Sequence, residues 1–371
     1  MSTIKANAIL DASGGNTVTI NSVTPTAYNT MGKNLVINGD MRIDQRLSGG
    51  STTTINGYHS VDRWTLYGGS LTGKGTYGQN YGGVTPPAGF TNYWGWQTGA
   101  SAYSVAAADL FSVFQPIEGY NVAHLGFGSV GASSITISFW VRSSLTGTFG
   151  AAVFNSSQNY NYPFGYTINA ANTWEKKTVT ISGATAGTWL TTNGIGLYIN
   201  FEIASGSNWQ GASGAWTTTN YHSVTGAVSV LGTANATWYI TGVQLEAGSV
   251  ATEFERRPYG TELNLCYRYF QKTNPDNVSL RSGGLNGVVY SSTNCVMYYT
   301  LPVLMRSAPS IARGGTNDNF YIAGISSSIS GTFNSAFSSA GTVWAEIINL
   351  SGGGNGYGIQ YNGQLSLSSE L

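Results

Sequence analysis

Acidic and basic side chains cluster in one short stretch, VQLEAGSVATEFERRPYG, at residues 243–260. Only 9% of the chain is charged, so this cluster is the first candidate for chemistry. Glycoside hydrolysis needs two carboxylates roughly 5–10 Å apart, whereas carboxylates beside guanidinium groups form ion pairs. Because strand-like segments flank the cluster on both sides, we expect ion pairs that fix the orientation of two domains. The residues of this predicted domain junction are Glu246, Glu253, Glu255, Arg256 and Arg257.

The remaining reactive residue types lack the spacing of a catalytic or metal site. His59, His124 and His222 are widely separated and form no metal-binding pair. Cys266 and Cys295 are too few for a cysteine-ligated zinc site, and we expect two independent, partly buried thiols. The sequence therefore predicts a protein that is not an enzyme, with no catalytic residues, no cofactor and no metal. The acids of the central segment stand singly, at Asp62, Asp109, Glu118, Glu175 and Glu202.

Three stretches interleave aromatic rings with amides and hydroxyls in the manner of loops: residues 90–99, 155–166 and 208–222. Sugar rings stack their C–H faces on aromatic rings, while neighbouring amides hydrogen-bond to sugar hydroxyls. Aromatic residues also cap the ends of sandwiches and pack at subunit interfaces, and the sequence leaves both roles open. The candidate carbohydrate-binding residues are Tyr93, Trp94, Trp96, Tyr160, Tyr162, Trp209, Trp216 and Tyr221.

The charge balance argues against two classes of partner. The chain has 16 basic and 16 acidic residues, for a formal net charge of +0. Binding of nucleic acid by counterion release needs a basic surface, and so does attraction to anionic lipid. No apolar run approaches the roughly 20 residues that span a bilayer. We therefore expect neither nucleic-acid binding nor membrane insertion.

Composition and periodicity favour an all-β fold. The chain is rich in Gly and Tyr and poor in charged helix formers. In SITISFWVRS the residues Ile135, Ile137, Phe139 and Val141 alternate with more polar ones, which is typical of a strand buried on one face. Many such runs predict an antiparallel, jelly-roll-like β-sandwich as the central domain.

The pattern divides the chain into three parts. Residues 1–33 predict a short β-hairpin followed by a linker, too small to bury a core alone and therefore suited to attachment or trimerisation. The jelly-roll domain is expected over residues 34–258. A smaller β-sandwich domain, and possible receptor-binding tip, is expected over residues 259–371. The segment TELNLCYRYFQK at 261–272 has some helical character.

Two motifs resemble those that bracket a β-sandwich module of bacteriophage tail-fibre proteins. They are KNLVINGDMRIDQRLSGG with YHSVDRW near residue 34, and WYITGVQLEAGSVATEFERRPYGTELNLCYRYFQK ending at residue 272. The opening STIKANAILDASGGNTVTI is similar to the first segment of many such fibres. The resemblance implies a homotrimer bound to the phage tail, baseplate or an adaptor protein through its N-terminus, with its β-domains facing host surface polysaccharide. It implies a virion protein, assembled in the host cytoplasm and exposed extracellularly.

The same motifs are similar to those of carbohydrate-binding jelly rolls that hold a structural calcium. Asn34, Asn38, Gly39 and Val243 match that pattern. Arg42 stands where an acidic calcium ligand would be, and calcium needs several oxygen ligands with carboxylates among them. We therefore expect no calcium at this position.

Three other interpretations remain open at the level of sequence. The chain could instead be a soluble bacterial lectin or carbohydrate-binding protein, a glycan-depolymerising tail spike, or a head-decoration or tail-shaft protein of the virion. A lectin would be monomeric, whereas a depolymerase would bring two acids together in a groove.

Overall fold

The computed structural model describes residues 32–53, 58–68, 73–273, 285–313, 320–322, 332–348, 358–361 and 365–371. The chain forms two compact units, Met1–Arg256 and Arg257–Leu371. The predicted N-terminal segment 1–33, a hairpin followed by a linker, lies outside the described residues except for its last two positions. The predicted domain boundaries stay a prediction. Within the described part of the chain, no helix has both the length and the apolar character needed to cross a bilayer.

The first unit is built from fourteen strands and one short α-helix among the described residues. In chain order they are β1 (Ser51–Thr52), β2 (Tyr58–Val61), β3 (Trp64–Gly68), β4 (Gly75–Gln79), β5 (Trp94–Thr98), β6 (Leu110–Glu118), α1 (Gly119–Val122), β7 (Ile135–Ser143), β8 (Gly147–Phe154), β9 (Asn161–Ile168), β10 (Glu175–Ile181), β11 (Ile195–Ser205), β12 (Gln210–Gly211), β13 (Ser223–Val224) and β14 (Thr237–Ala247). Two 3₁₀ turns, Ala123–Leu125 and Ser207–Trp209, complete the set.

Twelve of these strands form two six-stranded antiparallel sheets. The first sheet has the order β1-β4-β5-β14-β7-β10, and the second has the order β2-β3-β6-β11-β8-β9. Each sheet mixes strands from distant parts of the chain, as in a jelly roll. The predicted antiparallel β-sandwich is confirmed. Strands β12 and β13 pair with each other in parallel, outside both sheets.

The two sheets enclose an aromatic core. Trp94 and Trp238 pack edge to face at 5.9 Å between ring centroids, and Trp64 lies 6.4 Å from Phe201. All four side chains are inaccessible to solvent. The Trp238 indole N–H donates to the Tyr166 hydroxyl at 3.1 Å, which satisfies the polar atom of a ring that is otherwise apolar. Burying each such ring contributes about 2–3 kcal/mol, so this core is the main source of stability for the first unit.

The segment at residues 34–39 is joined to the strand β14 by hydrogen bonds and by a close main-chain contact. The Asn34 side-chain oxygen accepts hydrogen bonds from the N–H groups of Val36 and Leu245, at 3.0 and 3.1 Å, while its amide donates to Val243 O. Gly39 lies so close to Val243 that an added Cβ would sit 2.1 Å from the Val243 carbonyl oxygen. Asparagine and glycine at these two positions therefore close the sandwich.

Arg42, which stands in the place of an acidic calcium ligand, forms a local ion pair. Arg42 Nε lies 2.5 Å from a carboxylate oxygen of Asp40, and burial raises the pKa of Asp40 while the Arg42 charge lowers it. Among the described residues, no three His, Cys, Asp or Glu side chains converge as a metal site. The Arg42 side chain thus compensates the charge of Asp40, a carboxylate two residues earlier in the chain.

The second unit is a smaller β-sandwich with one helix, α2 (Tyr259–Tyr267), among its described residues. Its strands are β15 (Phe270–Lys272), β16 (Asn286–Val289), β17 (Cys295–Thr300), β18 (Ser310–Arg313), β19 (Phe320–Ile322), β20 (Thr332–Ser338), β21 (Thr342–Ile348), β22 (Gly358–Tyr361) and β23 (Leu365–Ser368). They form a three-stranded sheet, β15-β23-β18, and a six-stranded sheet, β19-β22-β16-β17-β21-β20.

The segment at 261–272 is helical only in part. The helix α2 ends at Tyr267, and the chain then enters the strand β15. Within the same unit, Cys266 and Cys295 form no disulfide with each other, as the sequence predicted, and both are fully buried where partial burial was expected. Burial raises the pKa of Cys295 to about 12, so this thiol stays protonated and unreactive at neutral pH.

Candidate glycan-binding groove

The outward face of the second sheet carries a row of aromatic and polar side chains. On β11, Leu197, Ile199 and Phe201 point into the core, so the alternate residues Tyr198 and Asn200 point away from it. The neighbouring strands β6 and β8 present Phe114 and Phe154 on the same outer side, and β3, which pairs with β6, adds Tyr67. Sheet pairing, and not sequence proximity, therefore brings these side chains together.

A segment that we call the cover, residues 206–224, crosses part of this face. Its strand β13 packs on β8, β9 and β11. The backbone N–H of His222 donates to Trp209 O at 2.9 Å, and the Trp209 indole N–H donates to Ala108 O at 2.8 Å. The Asn200 amide donates to His222 O at 3.1 Å, which attaches the cover to the sheet.

A cleft of about 130 Å³ lies between the cover and the sheet. We call it the groove. Its lining is mainly aromatic and includes no Asp, Glu, Lys or Arg within the part of the chain that the structure describes. The lining residues are Tyr67, Leu110, Ser112, Phe114, Phe154, Gln158, Tyr198, Asn200, Trp209 and His222.

The rings of the groove hold one another in place. Tyr198 stacks on Phe154 with centroids 4.9 Å apart and meets Phe114 edge to face at 5.6 Å. His222 lies 4.5 Å from Phe154 and is perpendicular to Trp209 at 5.3 Å. Such contacts restrict the orientation of the rings before a ligand binds, which lowers the entropic cost of capturing one.

The polar groups of the groove are uncharged at neutral pH. His222 Nε2 lies 2.9 Å from the side-chain oxygen of Asn220, so Nε2 carries the proton in the neutral tautomer. Burial lowers the pKa of His222 to about 4 and raises the pKa of the Tyr198 hydroxyl. The groove therefore offers aromatic faces, hydroxyls and amides to a ligand, and no net charge.

Three of the predicted sugar-binding residues are buried, which corrects the sequence prediction. Tyr93, Trp94 and Trp96 are at most 1% exposed. Trp94–Thr98 form β5 in the middle of the first sheet, where the segment 90–99 was expected to be a loop. Residues two apart on a strand share a face, so both tryptophans point into the core, and no sugar ring can reach them.

Three more form a cluster of rings on the sandwich edge. Tyr160 stacks on Trp216 at 5.4 Å with an interplanar angle of 9°, and Tyr162 meets the same indole edge to face at 5.2 Å. Trp189 completes the group at 5.6 Å from Trp216. These rings use their faces and edges on each other, which is the packing alternative that the sequence left open.

Of the eight predicted residues, Trp209 is the one that lines the groove. Tyr221 belongs to the cover, but its ring packs where a side chain on Gly211 would otherwise be. Sequence reasoning missed Tyr67, Phe114, Tyr198 and Asn200 because they come from three strands, β3, β6 and β11, that are far apart in the chain. The alternation in GLYINFEIAS was the one available signal, since it places Tyr198 and Asn200 opposite the core-facing residues.

Two acidic residues of the charged stretch at 243–260 stabilise the end of the first unit. Glu246 is buried, and its carboxylate accepts hydrogen bonds from the Gln244 amide at 2.8 Å and from the Thr252 N–H and hydroxyl at 2.9 and 2.7 Å. Glu255 accepts from the backbone N–H groups of Gly32 and Asn34 at 2.7 and 2.8 Å. Both acids thus hold the end of the first unit in place.

The other members of the stretch have separate contacts. The Glu253 carbonyl accepts from Lys33 Nζ at 2.7 Å, and the Arg256 guanidinium lies 4.7 Å from the Phe90 ring centroid. Arg257 forms an ion pair with Glu262 at 3.3 Å inside the second unit. The role of these residues in orienting two domains stays a prediction.

Among known proteins, this chain is similar to solved structures, and the similarity is one of structure and not of sequence. No protein-family model matches the chain, and no curated protein sequence matches it. A putative sugar-binding protein from Bacteroides thetaiotaomicron is 9% identical with a TM-score of 0.32, covering 58% of this chain and 100% of its own. A family 11 carbohydrate-binding module from Clostridium thermocellum is 10% identical with a TM-score of 0.27, covering 55% of this chain and 99% of its own.

A third similar structure is the enzymatically active domain of tailspike protein 4 from bacteriophage CBA120. It is 14% identical with a TM-score of 0.29, and the match covers 53% of this chain. The match spans only 21% of that tailspike chain. At these TM-scores the likenesses carry no argument about what this chain does.

Proposed function

We propose that the first unit binds polysaccharide in the groove. The observation that carries this proposal is an uncharged cleft in which the partly exposed rings of Tyr67, Tyr198 and Trp209 stand beside the amide of Gln158. Sugars present alternating C–H faces and hydroxyls, so aromatic rings and amides are the groups that recognise them. The same lining has nothing to attract a phosphate or a polyanion.

The groove binds without cleaving. Hydrolysis of a glycosidic bond requires two carboxyl groups roughly 5–10 Å apart on either side of the bond. The groove-lining residues within the described ranges include no carboxyl group, and Glu202 is enclosed under the cover with 2% of its surface exposed. A binding role is therefore favoured over a glycan-depolymerising tail spike.

In its biological setting, we propose that the chain is a phage tail fibre that attaches the virion to host surface polysaccharide. Support comes from the bracketing motifs near residues 34 and 272 and from the segment at 1–33, which is suited to joining copies and to holding the tail or an adaptor. A homotrimer would present several grooves at once, and linked weak contacts gain strength through effective concentration. A soluble lectin is the competing proposal, and it would be monomeric.

The direct test is an array of purified bacterial surface polysaccharides probed with the full chain. Tyr67 is 48% exposed at the groove, and Tyr120, on α1, is 61% exposed and is absent from the groove lining. Tyr67→Ala should weaken binding about 10-fold, because stacking on one ring contributes on the order of 1 kcal/mol or more. Tyr120→Ala, its matched control, should bind as the wild type does. Absence of binding to any polysaccharide, or an equal loss in both variants, would refute the proposal.

A further inference from the structure

Unpaired polar atoms are concentrated where the cover meets the sheet. Asn200 Oδ1, both carboxyl oxygens of Glu202, His222 Nδ1 and Ser223 Oγ are buried and lack a well-formed hydrogen bond to any described residue. Buried polar groups in folded proteins are normally paired, and an unpaired one costs free energy that contact with water would recover. These atoms therefore favour an arrangement in which the cover moves away from the sheet and water reaches them.

Glu202 is at the centre of this seam. A Cβ added to Gly150 would lie 2.6 Å from Glu202 Oε2 and 1.9 Å from Ser223 Oγ. The carboxyl group and the hydroxyl of the cover therefore both lie close to the backbone of β8 at this glycine. Glu202 also follows the groove residue Asn200 by two positions on the same face of β11. The carboxyl therefore touches the cover from below, beside the groove.

The elements that pack against Glu202 contain no cation. No Lys or Arg occurs in β6, β8, β9, β11 or the cover. An ionised Glu202 in the closed arrangement would therefore be a buried charge without a counter-ion, which is strongly unfavourable. Besides Glu202, the titratable side chains of these elements are Glu118, at the far end of β6, and Tyr162, Tyr166, Tyr198, Tyr221 and His222.

The protonation states follow from this burial. Desolvation raises the pKa of Glu202 to about 8, although the nearby Ser205 N–H and hydroxyl lower it. Burial lowers the pKa of His222 to about 4 and raises the pKa of Tyr166, which interacts electrostatically with Glu202. Both of these neighbours are uncharged near neutral pH and cannot compensate an ionised carboxyl.

We propose that Glu202 is a pH-dependent latch, which lets the cover close over the sheet when protonated and releases the cover when ionised. The proposal rests on the proposed function, because the cover carries Trp209 and His222 and so forms one wall of the groove. Opening exposes Glu202 to water and removes that wall. Glycan is therefore held more tightly in mildly acidic medium than in alkaline medium.

The pH window follows from the two states of Glu202. A glutamate in water titrates near its ordinary value of 4.5, whereas in the closed arrangement it titrates near 8. Between these values, rising pH favours the open cover by up to about tenfold per pH unit, and the effect levels off above the upper one. The expected change in cover opening is thus at least about 10-fold between pH 5.5 and 8.5.

Hydrogen exchange of the full chain tests the latch without any ligand. Protection factors in the cover, which correct for the intrinsic pH dependence of exchange, should fall at least about 10-fold from pH 5.5 to 8.5 in the wild type. Glu202→Gln keeps the shape but cannot ionise, so its protection should not fall as pH rises. Opening also releases His222, whose pKa then returns towards 6.5, and this effect acts the other way because it favours opening at the lower pH. Glu253→Gln, at an exposed acid, is the matched control and should behave as the wild type.

The latch would be overturned if protection of the cover changed with pH in the same way in the wild type and in Glu202→Gln. If Glu202→Gln failed to fold, wild-type protection that stayed constant from pH 5.5 to 8.5 would overturn it. The polysaccharide array at the two pH values separates this inference from the proposed function. Binding that weakens with pH in the wild type but not in Glu202→Gln supports both. Binding that is independent of pH overturns the latch alone, and binding to nothing at either pH overturns the function.

Discussion

Gly150 is the position where a single added methyl group should move the cover without touching the groove. Its Cβ would meet Ser223 Oγ at 1.9 Å and Ser223 Cβ at 2.9 Å, both well inside van der Waals contact. Gly150 lies within β8, so an alanine side chain is compatible with the strand itself. The cover must therefore shift outward by on the order of 1 Å, the usual response to overpacking.

The cost of that shift has two measurable parts. Overpacking of this kind destabilises by about 1–3 kcal/mol, and for a unit of this size each kcal/mol lowers Tm by about 2–4 °C. Because His222 and Trp209 move with the cover, glycan binding should fall about 10-fold or more, since misplacing one groove wall forfeits on the order of 1.4 kcal/mol. Thermal unfolding and titration with an array-positive polysaccharide measure the two effects.

Two further variants make this prediction specific. Gly131→Ala is the matched control, because a Cβ there would have no atom within 4 Å and should change neither Tm nor binding. Ser223→Ala in the Gly150→Ala background removes the closest clash and should restore part of both losses. Wild-type stability and binding in Gly150→Ala would show that the cover does not rest on β8 as described, and the reasoning would fail.

Three other predictions concern the closure, the histidine and the assembly. Asn34→Ala removes three hydrogen bonds that join the ends of the first unit and should destabilise it by about 2–4 kcal/mol in urea unfolding, whereas an unchanged midpoint would contradict that role. His222 has a folded-state pKa of about 4, below its ordinary 6.5, so its contribution to stability is present above pH 6.5 and lost as pH falls towards 4. The difference in free energy of unfolding between the wild type and His222→Gln should therefore fall by about 3 kcal/mol over that range, and a constant difference would contradict the burial of the ring. Light scattering of the full chain should give a trimer that becomes monomeric without residues 1–33, and a monomeric full chain would favour the lectin.

The sequence predicted the architecture better than the site, for a physical reason. Period-two alternation, as from Ile135 to Val141, shows directly which face of a strand is buried. It therefore predicted the β-sandwich correctly. The same rule applies to Trp94 and Trp96, but the glycine between them and the surrounding Asn and Gln residues made the segment look like a loop. Two tryptophans two residues apart predict a short strand whose tryptophan face packs in the core.

The groove was less predictable because its parts are far apart in the chain. Tyr67, Phe114, Phe154 and Tyr198 come from four strands, and only the pairing order of the second sheet makes them neighbours. The spacing of residues within any one segment does not indicate the order in which these strands pair. The buried carboxyl of Glu202 was equally hidden, since a single Glu in an apolar strand does not reveal that it lies under a cover without a counter-ion.

The central claim is that the groove holds glycan, and a crystal structure of the full chain with an array-positive oligosaccharide tests it most directly. The account predicts sugar rings stacked over Tyr67, Tyr198 and Trp209, with hydroxyls hydrogen-bonded to the Gln158 amide. Sugar bound instead at the Tyr160–Trp216 cluster or on the second unit, with the groove empty, would contradict it.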